Sequence, residues 1–188
     1  MITGVVLAAG EGRRFGGTKQ LANVDGKPLA QHAIDSLAAA GVDELLVITG
    51  HDADVVGTAL TLPSAGRFVL NPDFRKGQSS SLAAAFHDID DDSEAAIVLM
   101  GDQPGVTADD VRALIGRFRA TRAKIVRLRY TDGPGPALLS REIYADAGHL
   151  HGDVGARVLI ASHPDWVEEV DIDRPVPRDI DTPEDLRP

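Results

Sequence analysis

The sequence predicts an α/β fold in one domain, with a mostly parallel sheet covered by helices on both faces. Three observations carry this expectation. Short apolar runs alternate with amphipathic stretches from end to end. The run AAIVLM at 95–100 is apolar throughout, the pattern of a strand buried on both faces. The chain of 188 residues is long enough for one proper core and too short for a large appended module.

Taken in order, ITGVVLAA opens as a strand. LAQHAIDSLAAAG (29–41) has apolar residues at helical spacing and stops on Gly41, a good helix terminator. ELLVIT (44–49) reads as a strand and DADVVGTALTL as a helix. RFVLN (67–71) is a third strand, broken by Asn71-Pro72. GQSSSLAAAF (77–86) begins with hydroxyls able to cap a helix and continues with good helix formers. After AAIVLM, the segment 107–122 is helical, with Thr107 and Asp110 in a T-x-x-D variant of the capping box. KIVRLRY (124–130) alternates like a strand with one wet side.

The balance of 29 acidic against 19 basic residues, a net charge of −10, argues against nucleic acid and against anionic membranes as partners. Cysteine is absent, which excludes disulfides, thiolate metal sites and a cysteine nucleophile. No secretory leader and no apolar run of membrane-spanning length is read, so a cytoplasmic protein is expected.

Within this acidic chain, VVLAAGEGRRFGGTK (5–19) stands apart. A strand runs into a loop with Gly10, Gly12, Gly16 and Gly17, joined by Arg13, Arg14 and Lys19. Glycines let backbone N–H groups converge on an anion, and the three cations add positive charge, so the loop reads as a polyphosphate cradle. The plainer alternative is a turning loop. The spacing is neither a P-loop nor a clean dinucleotide fingerprint, since Phe15 stands where a third glycine belongs.

Ligands of such sheets bind beyond the carboxyl ends of the strands, and chemistry-bearing residues follow strands here. Asp102 emerges directly after AAIVLM, where a carboxylate suits a hard cation such as Mg²⁺; the alternative is an acid serving the next turn. Asp153, between Gly152 and Gly155, is a second metal-ligating acid, a helix cap, or both. The run Ser79, Ser80 and Ser81 offers donors at a helix N-terminus for a base or sugar and is not a nucleophile elbow. The histidines show no metal-ligand spacing.

LAAGEGRRFGGTKQL, GQSSSL, GDQP, HGDVGAR and DIDTPEDL, in this order between residues 7 and 186, resemble the MobA-like nucleotidyltransferases, most closely the molybdenum cofactor cytidylyltransferases. The resemblance implies a single Rossmann-like nucleotidyltransferase domain over 1–188 and a Mg²⁺-dependent reaction. In it the terminal phosphate of molybdopterin attacks the α-phosphate of CTP, giving the cytosine dinucleotide cofactor and pyrophosphate. It further implies that Leu7, Ala8, Ala9, Gly10 and Gly12 hold the nucleotide and that Arg14 and Lys19 hold its phosphates as catalytic residues. Ser79, Ser80 and Ser81 would contact the nucleotide or the pterin, Asp102 would act catalytically through the metal, and Asp153 would be the second acid. Ala9, where the guanylyltransferases have glycine, favours cytosine by family habit. A molybdenum hydroxylase or its chaperone is the implied protein partner.

Two departures stand out. VHDAARP of the isoprenoid-pathway cytidylyltransferases is replaced by LMGDQP, and Gly135-Pro136 lacks the histidine many relatives place there. Transfer from GTP or to another phosphorylated acceptor is the alternative within the same chemistry. An NAD(P)H-dependent reductase is the alternative from another class, although ELLVIT ends in Gly50-His51 rather than an acid for a ribose hydroxyl. A non-catalytic binding module is the third.

Overall fold

The computed structural model describes residues 1–148, 152 and 155–186. Nine strands appear among them: β1 (Ile2–Leu7), β2 (Asn23–Val24), β3 (Lys27–Pro28), β4 (Glu44–Thr49), β5 (Gly66–Leu70), β6 (Ala95–Met100), β7 (Ile125–Tyr130), β8 (Gly133–Ser140) and β9 (Val167–Ile172). The helices are α1 (Leu29–Ala40), α2 (Ala53–Ala59), α3 (Gln78–Asp88), α4 (Ala108–Thr121), α5 (Tyr144–Gly148) and α6 (Gly155–Ser162). Seven strands form one sheet in the order β5-β4-β1-β6-β8-β7-β9, and β2 and β3 make a separate hairpin.

The predicted α/β architecture is the one observed. β1 pairs in parallel with β4 on one side and with β6 on the other, and β4 pairs in parallel with β5. Alternate side chains of each strand leave through opposite faces. Val6, Val47 and Leu99 meet Leu37 of α1 and Leu114 and Phe118 of α4 on one face. Val5 and Ile48 meet Ala85 of α3 on the other, while Ile125 and Leu139 meet Leu82 of α3 and Leu159 of α6. Both faces of the sheet are therefore covered by helices.

Local signals act as expected at several ends. Gly41 closes α1 in the left-handed conformation, with φ 80°. The reciprocal capping box of Thr107 and Asp110 opens α4. At α3 the expectation fails: the N-cap is Gly77, which has no side chain to cap with, and the serines fall inside the helix, where the Ser80 hydroxyl donates to the Gly77 carbonyl.

Two strands of the large sheet, β8 and β9, and the small hairpin of β2 and β3 were not read from the sequence. GPGPALLS (133–140), to which no element was assigned, is β8, antiparallel to both β6 and β7. Its prolines are tolerated because β6 pairs only with Ala137–Ser140, so Pro134 and Pro136 lie beyond that ladder, next to an irregularity in β7 between Arg127 and Arg129. β9 is an edge strand whose Glu169 and Asp171 pair with Arg127 and Arg129, charges that discourage further strand addition. No helix among the described residues is long and apolar enough to cross a membrane.

The chain winds outward from β1 through β4 to β5 and then returns across β1 to β6. The direction of winding reverses between β1 and β6, so their carboxyl ends flank a crevice.

Candidate active site

The tips of β1 and β6 are stitched together by Gly101 N–H donating to Leu7 O at 3.0 Å. Beyond Leu7, Ala8 N–H donates to Ile48 O at 2.9 Å, and Ala9 O accepts from His51 N–H at 3.1 Å. The loop thus starts out held against β4. Gln20, only 3% exposed, fixes it from beneath: its amide nitrogen donates to Ala8 O at 2.9 Å and to Gly10 O at 2.7 Å.

The turn then closes on Gly12, whose carbonyl accepts from the N–H groups of Phe15, Gly16 and Gly17 at 2.9, 2.9 and 3.4 Å. Gly12 has φ +61°, and a Cβ there would sit 2.0 Å from Gly17 O, so only glycine fits. The amides of 15–17 therefore serve the loop's own turn and leave the cradle to 10–14, whose backbone N–H groups find no protein acceptor among the described residues.

Lys19 turns inward at the end of the loop. Its ammonium donates to Asp102 Oδ2 at 2.7 Å and to Asp181 Oδ1 at 2.9 Å. Lys19 and Asp102 are each 16% exposed and Asp181 33%. Burial opposes the charge of Lys19, but the two carboxylates outweigh it and hold the ammonium above the usual lysine range. Asp102 Oδ1 is buried with no hydrogen-bond partner. Arg14 reaches the same acid cluster, 3.0 Å from Asp181 Oδ2.

Asp181 is placed by the closing DIDTPEDL segment. Ile180 N–H donates to Asp102 O at 2.9 Å, and Asp185 gathers Asp181 N–H, Thr182 N–H and the Thr182 hydroxyl into a tight turn. Asp179 stands close by; partial burial and then the charge of Asp102 push its carboxyl above the usual range. Among the described residues no set of three or more His, Cys, Asp or Glu side chains is gathered to hold a metal ion. Asp102 and Asp181 are the acids that already share one cation, the Lys19 ammonium.

A cavity of about 430 Å³ opens between the glycine loop and the segment joining β5 to α3. Of the predicted residues, Leu7, Ala9, Gly10, Gly12, Arg14 and Ser81 line it. A second cavity of about 180 Å³ shares Leu7, Gln78 and Met100 with the first and runs on to Gln103, Arg127 and Pro134. Asp102 and Lys19 line neither space; Asp102 follows Met100, which borders both, and precedes Gln103, which borders the second. Ala8 is core, and Ser79 is buried with its N–H given to Gly152 O at 3.1 Å. The hydroxyls of Ser80 and Ser81 both accept from the Asn71 amide, at 2.9 and 3.0 Å, so the serine run first ties α3 to the end of β5. Asp153 lies outside the described residues.

Sequence reasoning assigned nothing to Gln20, Asp181, Phe74 or Arg75. DIDTPEDL was visible as a motif, but only the fold brings Asp181 to Lys19, 162 positions away. Phe74 and Arg75 follow the Asn71-Pro72 break, which reads simply as loop.

A crevice at the winding reversal, a glycine loop with amides unpaired among the described residues after one central strand and an acid after its neighbour are the layout of a nucleotide-binding transferase domain. The chain belongs to the family of the MobA-like NTP transferase domain, whose model matches residues 4–167. It is an enzyme of the nucleotidyltransferase type. It is 30% identical over 194 residues to nicotine blue oxidoreductase of Paenarthrobacter nicotinovorans, covering 98% of this chain and 94% of that one. The solved structure of Rv0371c from Mycobacterium tuberculosis H37Rv superimposes with a TM-score of 0.87 at 33% identity, over 98% of this chain and 94% of that one. A second Rv0371c structure, a complex with manganese, gives a TM-score of 0.85 at 33% identity, over 98% and 95% of the two chains.

Proposed function

We propose that the protein transfers CMP from CTP to a molybdopterin-type phosphorylated acceptor, releasing pyrophosphate, with Mg²⁺ or a similar divalent ion. The carrying observation is the Lys19 ammonium shared by Asp102 and Asp181 beside the unpartnered Asp102 Oδ1. A buried carboxylate oxygen without a donor suits a cation ligand, so Asp102 and Asp181 fit a divalent ion whose remaining positions fall to water and phosphate. When bound, that ion neutralises charge between the triphosphate and the incoming phosphate. That Rv0371c was solved as a complex with manganese supports the use of a divalent ion.

The chain's own residues do the rest. The amides of 10–14 and the Arg14 side chain hold the triphosphate, and Leu7 and Ala9 flank the nucleoside. Lys19, released from the acids, reaches the phosphates. An acceptor phosphate oxygen arriving through the second cavity attacks the α-phosphorus in line; the new P–O bond forms as the bond to the bridging α,β oxygen breaks, and pyrophosphate leaves with the electron pair. The choice of cytosine rests on Ala9 and the motif resemblance. A cytoplasmic location and a molybdenum hydroxylase or its chaperone as partner complete the reading.

Pyrophosphate release is expected to require CTP, divalent ion and acceptor together, and to fall at least about 100-fold in Asp102→Ala, since that substitution removes the ion's fixed ligand. Unchanged turnover in the variant refutes the metal assignment. Preference for GTP in calorimetry with the four nucleoside triphosphates moves the reading to guanylyl transfer.

The oxidoreductase among the relatives supports a second reading, reduction by NAD(P)H with the glycine loop holding a dinucleotide. Quenching of NADPH fluorescence on mixing, with no binding of CTP, favours it over the first.

A further inference from the structure

Glu11 sits at the crest of the glycine loop and lines the larger cavity, turned inward with its side chain 19% exposed. It is held from two directions. Arg13, on its own loop, donates through Nε. Arg75, from the segment between β5 and α3, donates through Nε at 3.0 Å. These bonds, Arg13 first and Arg75 second, hold the Glu11 carboxyl below the usual carboxylate range.

The two guanidiniums are mostly exposed, whereas the carboxylate between them faces the cavity. Arg75 also stacks on Phe74, with Cζ 5.4 Å from the ring centroid, and Phe74 lines the cavity too. The pair from Glu11 to Arg75 thus bridges the mouth of the space, joining loops 64 positions apart in the chain. An internal anion gripped by two arginines beside amides without acceptors is the arrangement an incoming phosphate group would take.

We infer that Glu11 is a stand-in for phosphate that latches the nucleotide cavity, and that the triphosphate displaces it and takes over Arg75 and Arg13 as phosphate ligands. This rests on the nucleotide reading above and adds a phosphate-binding residue from the far loop. The latch holds the loops together while the cavity is empty and sets a threshold that only a multiply charged anion overcomes. Singly charged anions lack the charge to draw both arginines away from the carboxylate.

Calorimetric titration of CTP, and of inorganic tripolyphosphate as the bare charged probe, tests this in the wild type, Glu11→Gln, Arg75→Ala and Arg75→Lys. Glu11→Gln removes the competing charge and is expected to tighten both probes by about 2- to 5-fold, the range of one exposed ion pair. Arg75→Ala is expected to weaken both by about 5-fold or more, with partial recovery in Arg75→Lys. The opposite signs separate the latch from a tie that only orders the loops. If Glu11→Gln leaves affinity unchanged, or if both substitutions weaken binding, the latch is overturned and nucleotide binding stands. If the wild type binds neither probe, the latch and the nucleotide reading fall together.

Discussion

Lys19→Ala tests the electrostatic arrangement of the site most revealingly, because it removes one cation from two carboxylates. Asp102 and Asp181 lie 2.7 and 2.9 Å from the ammonium, and Asp102 is only 16% exposed. An exposed ion pair contributes at most about 1 kcal/mol, while breaking a fully buried one costs about 3–5 kcal/mol. This partly buried three-membered cluster falls between those limits, so a loss of about 2 kcal/mol is expected. For a domain of this size that lowers the melting temperature by about 4–8 °C. The uncompensated carboxylates then become a stronger cation site. Thermal melting in EDTA and in excess MgCl₂ or MnCl₂ should show a larger metal-induced rise in the variant than in the wild type, up to about 2.7 kcal/mol at a hundredfold excess over Kd.

The pH dependence follows from the raised folded-state value of Lys19. A raised value means that the stability contributed is fully present below the ordinary lysine range and is lost as pH rises through the folded value. The stability gap between wild type and variant should therefore be flat through neutrality and close only at strongly alkaline pH. A melting temperature unchanged in EDTA, or equal metal-induced shifts in the two proteins, refutes the view that Lys19 occupies a cation position.

Two further substitutions probe the loop. Gln20→Ala strips the buried amide from the carbonyls of Ala8 and Gly10; an expected loss of about 2 kcal/mol in urea unfolding should accompany a raised KM for nucleotide, with kcat less affected. Gly12→Ala places a Cβ against Gly17 O in a left-handed backbone, so nucleotide affinity measured by calorimetry should fall more than stability does, because the distortion is confined to the turn.

The central strands were legible because burial on both faces makes β6 apolar throughout and β1 apolar at all but Thr3 and Gly4, a run that needs no knowledge of their neighbours. The capping box of α4 was legible for the same reason: both partners lie within four residues. Asp102 could be singled out because it directly follows such a strand. β8 could not, since its prolines are excused only by a gap in its pairing with β6. Nor could the partner of Lys19, since bonds spanning 83 and 162 positions leave no periodic trace in sequence. The serines show the converse, a structural tie that the sequence does not reveal. Three hydroxyls at a helix start look free for a ligand until Asn71, placed by β5, claims two of them.

The central claim is that a divalent cation bound through Asp102 meets the triphosphate held by the loop of residues 10–14. Anomalous scattering from crystals grown with manganese and a non-hydrolysable CTP analogue tests it most directly. The account predicts one manganese peak within bonding distance of an Asp102 carboxylate oxygen and of a phosphate oxygen, absent in Asp102→Ala. Manganese bound away from Asp102, or a nucleotide seated outside the cavity beside Gly10 and Gly12, would contradict it.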